Sequence, residues 1–183
     1  MKVSLSHLPH ISSRVAVELN KSGLVTMTSG LDIVAREAET ILTESVKREM
    51  ALEEKVKAIV NANEEQIDYY LADERQLFFM IKRKLAPEFG VILAYDERYS
   101  DIAHKILDVL YEEDLIRYDV SENRVKNIIY DAITQCIADT GDIENAVYDK
   151  IKSYKRRLIP GTDEYEILYE KLYKDEIARR GMA

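Results

Sequence analysis

The sequence predicts an all-α, or nearly all-α, fold: a compact bundle of six to eight helices with two short strands. Three observations predict it. Apolar residues recur at three- and four-residue steps along much of the chain, with Glu, Lys and Arg between them, the signature of amphipathic helices. Glycine and proline number only 6 and 3 in 183 residues, too few for the turns of a β-sandwich. Apolar residues make up 46% and charged residues 33%, enough to bury one flank of each helix and wet the other.

The elements follow in order. Residues 31–60 carry Ile33, Val34, Ala38, Ile41, Leu42 and Val46, then, after a phase change near Met50, Leu52, Val56, Ile59 and Val60. This reads as a helix pair or one bent helix, with a break at residues 61–63. Residues 73–86 form another helix, with Asp73 as N-cap and Lys82, Arg83 and Lys84 in the last turns, where cations suit the helix dipole. Pro87 and Gly90 stop it. A helix starts at Asp101 and carries Ile102, Ile106, Leu107 and Leu110. Leu115–Asp119 reads as a short strand, and Ser121 caps the next helix. Gly141 and Asp142 mark a restart, after which the chain is helical to about Leu158. Pro160–Gly161 is the clearest turn. Thr162 or Asp163 caps the last helix, which Gly181 closes.

The two parts of the chain share an order: helix, short strand, long helix, helix, terminal helix ending in Gly. That order favours an internal pseudo-two-fold duplication, with halves 1–91 and 92–183 packed as one domain, over chance alignment of similar helices. Each half then supplies one strand, Leu24–Met27 and Leu115–Tyr118. A lone strand leaves its backbone groups unpaired, so the two are expected to pair with each other.

The blocks DERQLFFMIKRKLAPEFG, DERYSDIAHKILD, DVSENRVKNIIYDAI and KSYKRRLIPGTDEYEILYEKLY, in this order and spacing, resemble the bacterial family known as domain of unknown function 507. The resemblance covers essentially the whole chain, from LPHIS onward. It implies a small, mainly helical, soluble bacterial protein of about this length, and it supplies no catalytic residue to carry over.

Charge and composition narrow the function. Lys+Arg 26 against Asp+Glu 34 gives a net charge of −8, which argues against a chain that coats nucleic acid or an anionic membrane. The single cysteine, Cys136, excludes an intrachain disulfide and any zinc site built from two or more cysteines. It sits in the apolar run AITQCIA, where a small buried side chain is expected. No apolar run approaches the roughly 20 residues of a membrane span, and no apolar stretch of about 7–15 residues follows the early Lys in MKVSLSHLPHISSRV, so a secretory signal is not expected. The expected setting is the cytoplasm.

No nucleotide loop, zinc-protease motif, nucleophile elbow or calcium loop occurs. The paired acids fall on polar helix faces beside Lys and Arg, as surface ion pairs do. His7 and His10 form HxxH in an extended or turn-like segment around Pro9, without a third ligand at a diagnostic spacing. His104 lies in a helix with no nucleophile or orienting partner in view. The sequence therefore assigns no catalytic, cofactor-binding or metal residue and predicts a protein that is not an enzyme. Two surfaces remain. Tyr165, Tyr169 and Tyr173 make a stripe that serves either as the rim of the protein's own core or as a seam for a protein partner or homodimer. Lys150, Lys152, Tyr154, Lys155, Arg156 and Arg157 combine cations with an aromatic ring, as a nucleic-acid contact does. The preferred reading is a protein–protein interaction or scaffold module; the alternative is a nucleic-acid-associated protein using residues 150–157.

Overall fold

The computed structural model describes residues 3–63, 73–154 and 162–180. Among them are six α-helices and one two-stranded sheet, so the helical fold class is the observed one. The chain divides between Thr134 and Gln135 into two compact units.

The first unit is built on a long helix. After a short 3₁₀ turn, α1 (Leu8–Lys21) buries Leu8, Ile11, Val15, Ala16 and Leu19, and it packs along α2 (Leu31–Ala62). Pro9 sits in the first turn of α1, where its missing N–H costs no hydrogen bond. Of the extended or turn-like settings expected, the turn is observed: His7 ends the 3₁₀ turn and His10 lies in the first turn of α1. Residues 31–62 form one continuous helix, about 48 Å long at 1.5 Å per residue. Its buried stripe runs Val34, Ala38, Leu42, Ser45/Val46, Glu49, Leu52, Val56 and Val60. The stripe keeps its period throughout; the phase change read at Met50 arises because the buried position there is a charged residue, Glu49.

α3 (Glu74–Leu85) begins at the expected cap. The Asp73 carboxylate accepts the backbone N–H of Arg75 at 2.9 Å and of Gln76 at 3.3 Å. Leu77, Phe78, Ile81, Leu85 and Phe89 pack on a core of Leu52, Val56, Val60, Ala86 and Val91. Gly90 follows at φ +61°, a left-handed position that favours glycine. α4 (Tyr95–Glu112) starts six residues before the expected Asp101. Its first inward residue is Arg98, whose charge hides the stripe that Tyr99, Ile102, Ala103, Ile106, Leu107 and Leu110 then continue.

The expected strand pairing forms. β1 (Thr26–Met27) and β2 (Ile116–Arg117) are antiparallel, with Thr26 opposite Arg117 and Met27 opposite Ile116. The chain enters each strand from a helix through a left-handed residue: Gly23 at φ +67° after α1 and Asp114 at φ +54° after α4. At Asp114 the Leu115 N–H reaches Leu110 O at 2.9 Å and the Asp114 N–H reaches Tyr111 O at 3.1 Å, the paired bonds of a Schellman stop. Asp is one of the few residues with a side chain that tolerates that conformation.

α5 (Glu122–Ser153) follows Ser121 and carries residues of both units. It does not restart at Gly141. Glycine costs about 1 kcal/mol against alanine in a helix, and the buried residues on either side, Cys136, Ile137, Ile143 and Val147, hold the helix through it. Cys136 is buried, as its apolar setting predicted. α2 and α5 have the same length, 32 residues. In the second unit, α6 (Asp163–Arg179) is capped by Thr162, whose side chain accepts the Tyr165 N–H. Leu158, Pro160, Gly161 and Gly181 lie outside the described residues.

Candidate interaction surface

α3 divides its cations between two faces. Lys82 points inward, and its Nζ donates to Glu53 Oε1 at 2.8 Å and Glu49 Oε1 at 3.2 Å. Arg98 of α4 closes on the same carboxylate: Nη1 donates to Glu49 Oε2 at 2.6 Å, Nε to Ser45 Oγ at 3.1 Å, and Nη2 to the Ser45 carbonyl at 3.0 Å. Burial alone would raise the Glu49 pKa, but the bonds from Arg98 and Lys82 outweigh it and hold the carboxyl below its ordinary value. Burial likewise works against Lys82, and its bonds to Glu53 and Glu49 raise it all the same. Beside this network, burial pushes the Tyr99 phenol up to about 12. Every polar group here has a partner, so the network is a structural clamp that ties α3 and α4 to α2.

The clamp fixes what α3 shows outward. Arg75, Gln76, Phe79, Met80, Arg83 and Lys84 are exposed, a spacing that places them on one flank of the helix. Phe79 is 52% and Met80 67% exposed. The Phe78 and Phe79 rings meet edge to face at 5.8 Å, and the Arg75 guanidinium lies 6.0 Å from the Phe79 ring. Among the described residues no carboxylate pairs with Arg75, Arg83 or Lys84. An apolar pair framed by three unneutralised cations therefore stands on a chain of net charge −8.

The tyrosine stripe of α6 faces α5. Tyr165 is buried against Ile143, Val147 and Ile151 of α5, and Leu168, Tyr169, Leu172, Tyr173 and Ile177 pack around that core. The rings stack in a ladder, Tyr165 to Tyr169 at 6.2 Å and Tyr169 to Tyr173 at 6.0 Å, with Tyr148 of α5 5.6 Å from Tyr169. Burial raises the pKa of all three stripe tyrosines. Next to the ladder Glu176 is fully buried and accepts from Lys150 Nζ at 2.8 Å, Arg179 Nη2 at 2.5 Å and Arg180 Nε at 2.9 Å. The bonds from Arg179, Lys150 and Arg180 hold its carboxyl far below the usual range.

The basic segment is thereby split. Lys150 is committed to Glu176, Lys152 and Tyr154 are exposed, and Lys155, Arg156 and Arg157 lie outside the described residues. Of the histidines, His7 Nδ1 lies 3.1 Å from Ser4 Oγ. His10 Nε2 is buried without a hydrogen-bond partner among the described residues. His104 is brought to two carboxylates, Asp108 on its own helix and Glu122 at the start of α5.

Sequence reasoning passed over Phe79 and Met80. The pattern FFMI marks a helix but not which of its four apolar residues face out. The available signal was the set Arg75, Gln76, Arg83 and Lys84, each four residues from Phe79 or Met80 and so on their flank; Lys82, beside Phe78, pointed the opposite way. No helix of the described residues is long and apolar enough to cross a membrane. The family whose description reads "Protein of unknown function (DUF507)" matches residues 1–182 of the chain. No curated protein matches it.

Proposed function

We propose, from the premise that the chain belongs to the DUF507 family, that this protein is a non-enzymatic interaction module that docks an acidic protein segment on the outer flank of α3. The observation that carries the reading is the exposure of Phe79 and Met80 at 52% and 67%, between Arg75, Arg83 and Lys84. Large apolar side chains left in water at the middle of a cationic flank suit a partner with an apolar anchor and carboxylates at its rim. Lys82 supports the reading from below, because its bonds to Glu49 and Glu53 hold the helix in one rotational setting.

The test is selection of peptides from a displayed library on the intact protein. Peptides with acidic residues around an aromatic or aliphatic anchor should be enriched, and raised salt should weaken them. Phe79→Ser with Met80→Ser should cost at least tenfold in affinity while the circular dichroism stays unchanged. The reading fails if selected peptides bind that variant as well as the native chain. It also fails if the flank proves to join two copies, seen as a dimer in sedimentation that the variant abolishes. Retention of RNA or DNA at low salt, lost when Lys152, Lys155, Arg156 and Arg157 become Ala, would favour the nucleic-acid alternative instead.

A further inference from the structure

The surface of the first unit carries a second feature, unrelated to α3. His104 and Asp108 lie one turn apart on α4, so their side chains project from one flank. Glu122, the first residue of α5, reaches the same imidazole from the other side. His104 Nδ1 is 3.2 Å from Glu122 Oε1, and Nε2 is 3.7 Å from Asp108 Oδ2. One ligating atom from each of the three residues lies within 4.8 Å of the others. Three donors about 2.1 Å from a tetrahedral ion stand roughly 3.4 Å apart; because an imidazole offers a single ion only one nitrogen, rotation of the exposed His104 and carboxylate side chains is what draws these atoms, now within 4.8 Å, onto one ion.

The charge balance points the same way. With the imidazole neutral the set carries two negative charges. Among the described residues no Lys or Arg pairs with Asp108 or Glu122: Lys105 is bound to Asp101 and Lys126 to Ser100. All three side chains are about half exposed, which leaves an approach open to an ion. Nearby, the Tyr118 and Tyr111 rings meet at a tilt, with centroids 5.3 Å apart. We propose that His104, Asp108 and Glu122 form a binding site for a first-row divalent cation such as Zn²⁺, with a water in the fourth position. The imidazole nitrogen disfavours Mg²⁺ and Ca²⁺, which prefer all-oxygen sets.

The test is calorimetric titration of the intact protein with ZnCl₂ and, separately, MgCl₂. One Zn²⁺ should bind per site, and Mg²⁺ should give no matching heat. His104→Ala, Asp108→Asn and Glu122→Gln should each weaken Zn²⁺ at least tenfold. Because these side chains are half exposed, the variants should melt within a few degrees of the native protein, which separates lost ligation from lost fold. Co²⁺ in place of Zn²⁺ should give visible absorption bands that vanish in His104→Ala. Absence of Zn²⁺ binding overturns the proposal. So does binding that survives His104→Ala, or that is lost instead when His7 and His10 are replaced.

Discussion

Removing one member of the buried Glu49–Arg98 pair should cost far more than removing both. Arg98 is 6% and Glu49 4% exposed, and Arg98 contributes three hydrogen bonds, one to Glu49 and two to Ser45. Arg98→Met leaves the Glu49 carboxylate buried with Lys82 on one oxygen alone. Breaking a buried pair in this way costs about 3–5 kcal/mol, and the surviving Lys82 bond places this variant near the lower end. Glu49→Leu strands the guanidinium beside Ser45 and should cost a similar amount. The double variant Glu49→Leu with Arg98→Met removes both charges and leaves Lys82 on Glu53, 2.8 Å away. It should be more stable than either single variant, because apolar side chains of similar volume often replace a buried ion pair without loss. Urea unfolding followed by circular dichroism gives the midpoints, and hydrogen exchange at the α2 and α4 amides localises the loss. The pH dependence has a definite sign. The Glu49 pKa is lowered, so its contribution is complete above the ordinary carboxylate value and disappears as the pH falls through the lowered one. The Lys82 pKa is raised, so its contribution is complete below the ordinary lysine value and disappears as the pH rises through the raised one. Single-variant costs below about 1 kcal/mol, or a double variant whose loss equals the sum of the singles, would refute the clamp.

Two further outcomes are expected in the second unit. Tyr165→Ala should destabilise it by about 3 kcal/mol, as loss of a buried aromatic does, whereas Tyr165→Phe should be tolerated; equal, small effects in hydrogen exchange at the α6 amides would mean the ring is not part of that core. Glu176, held far below the carboxylate range by Arg179, Lys150 and Arg180, should stabilise the unit at neutral pH and lose that effect only in strong acid, so Glu176→Gln should lower the melting temperature at pH 7 and flatten its decline on acidification.

The halves 1–91 and 92–183 remain a proposal, and particular elements support it. Gly23 and Asp114 both take a left-handed conformation after a helix and before a strand. The helices that follow the strands, α2 and α5, are of equal length. The two strands pair with one another. Asp114→Gly tests the equivalence: the variant should fold and keep the β1–β2 pairing, since Gly23 already occupies the matching place.

Helix periods, the Asp73 and Thr162 caps and the strand segments were legible in the sequence because each depends on residues a few positions apart. Amphipathic spacing alone specifies which flank is buried in the first half of α2 and in α4 from Ile102 onward. Where a charge occupies a buried place the sequence misleads: Glu49 mimics a break in α2, and Arg98 conceals the first turn and a half of α4. Only the tertiary structure decides those cases, because the partners that make burial tolerable stand far away in the chain. Glu49 needs Arg98, His104 meets Glu122 across a strand and a turn, and Glu176 collects Lys150 from another helix. The same holds for α3 and α6, where FFMI and the tyrosine repeat each offer two flanks. Packing against α2 leaves Phe79 and Met80 in water, and packing against α5 buries Tyr165. Local spacing sets which side chains share a face, but the free energy that selects a face comes from what lies opposite it.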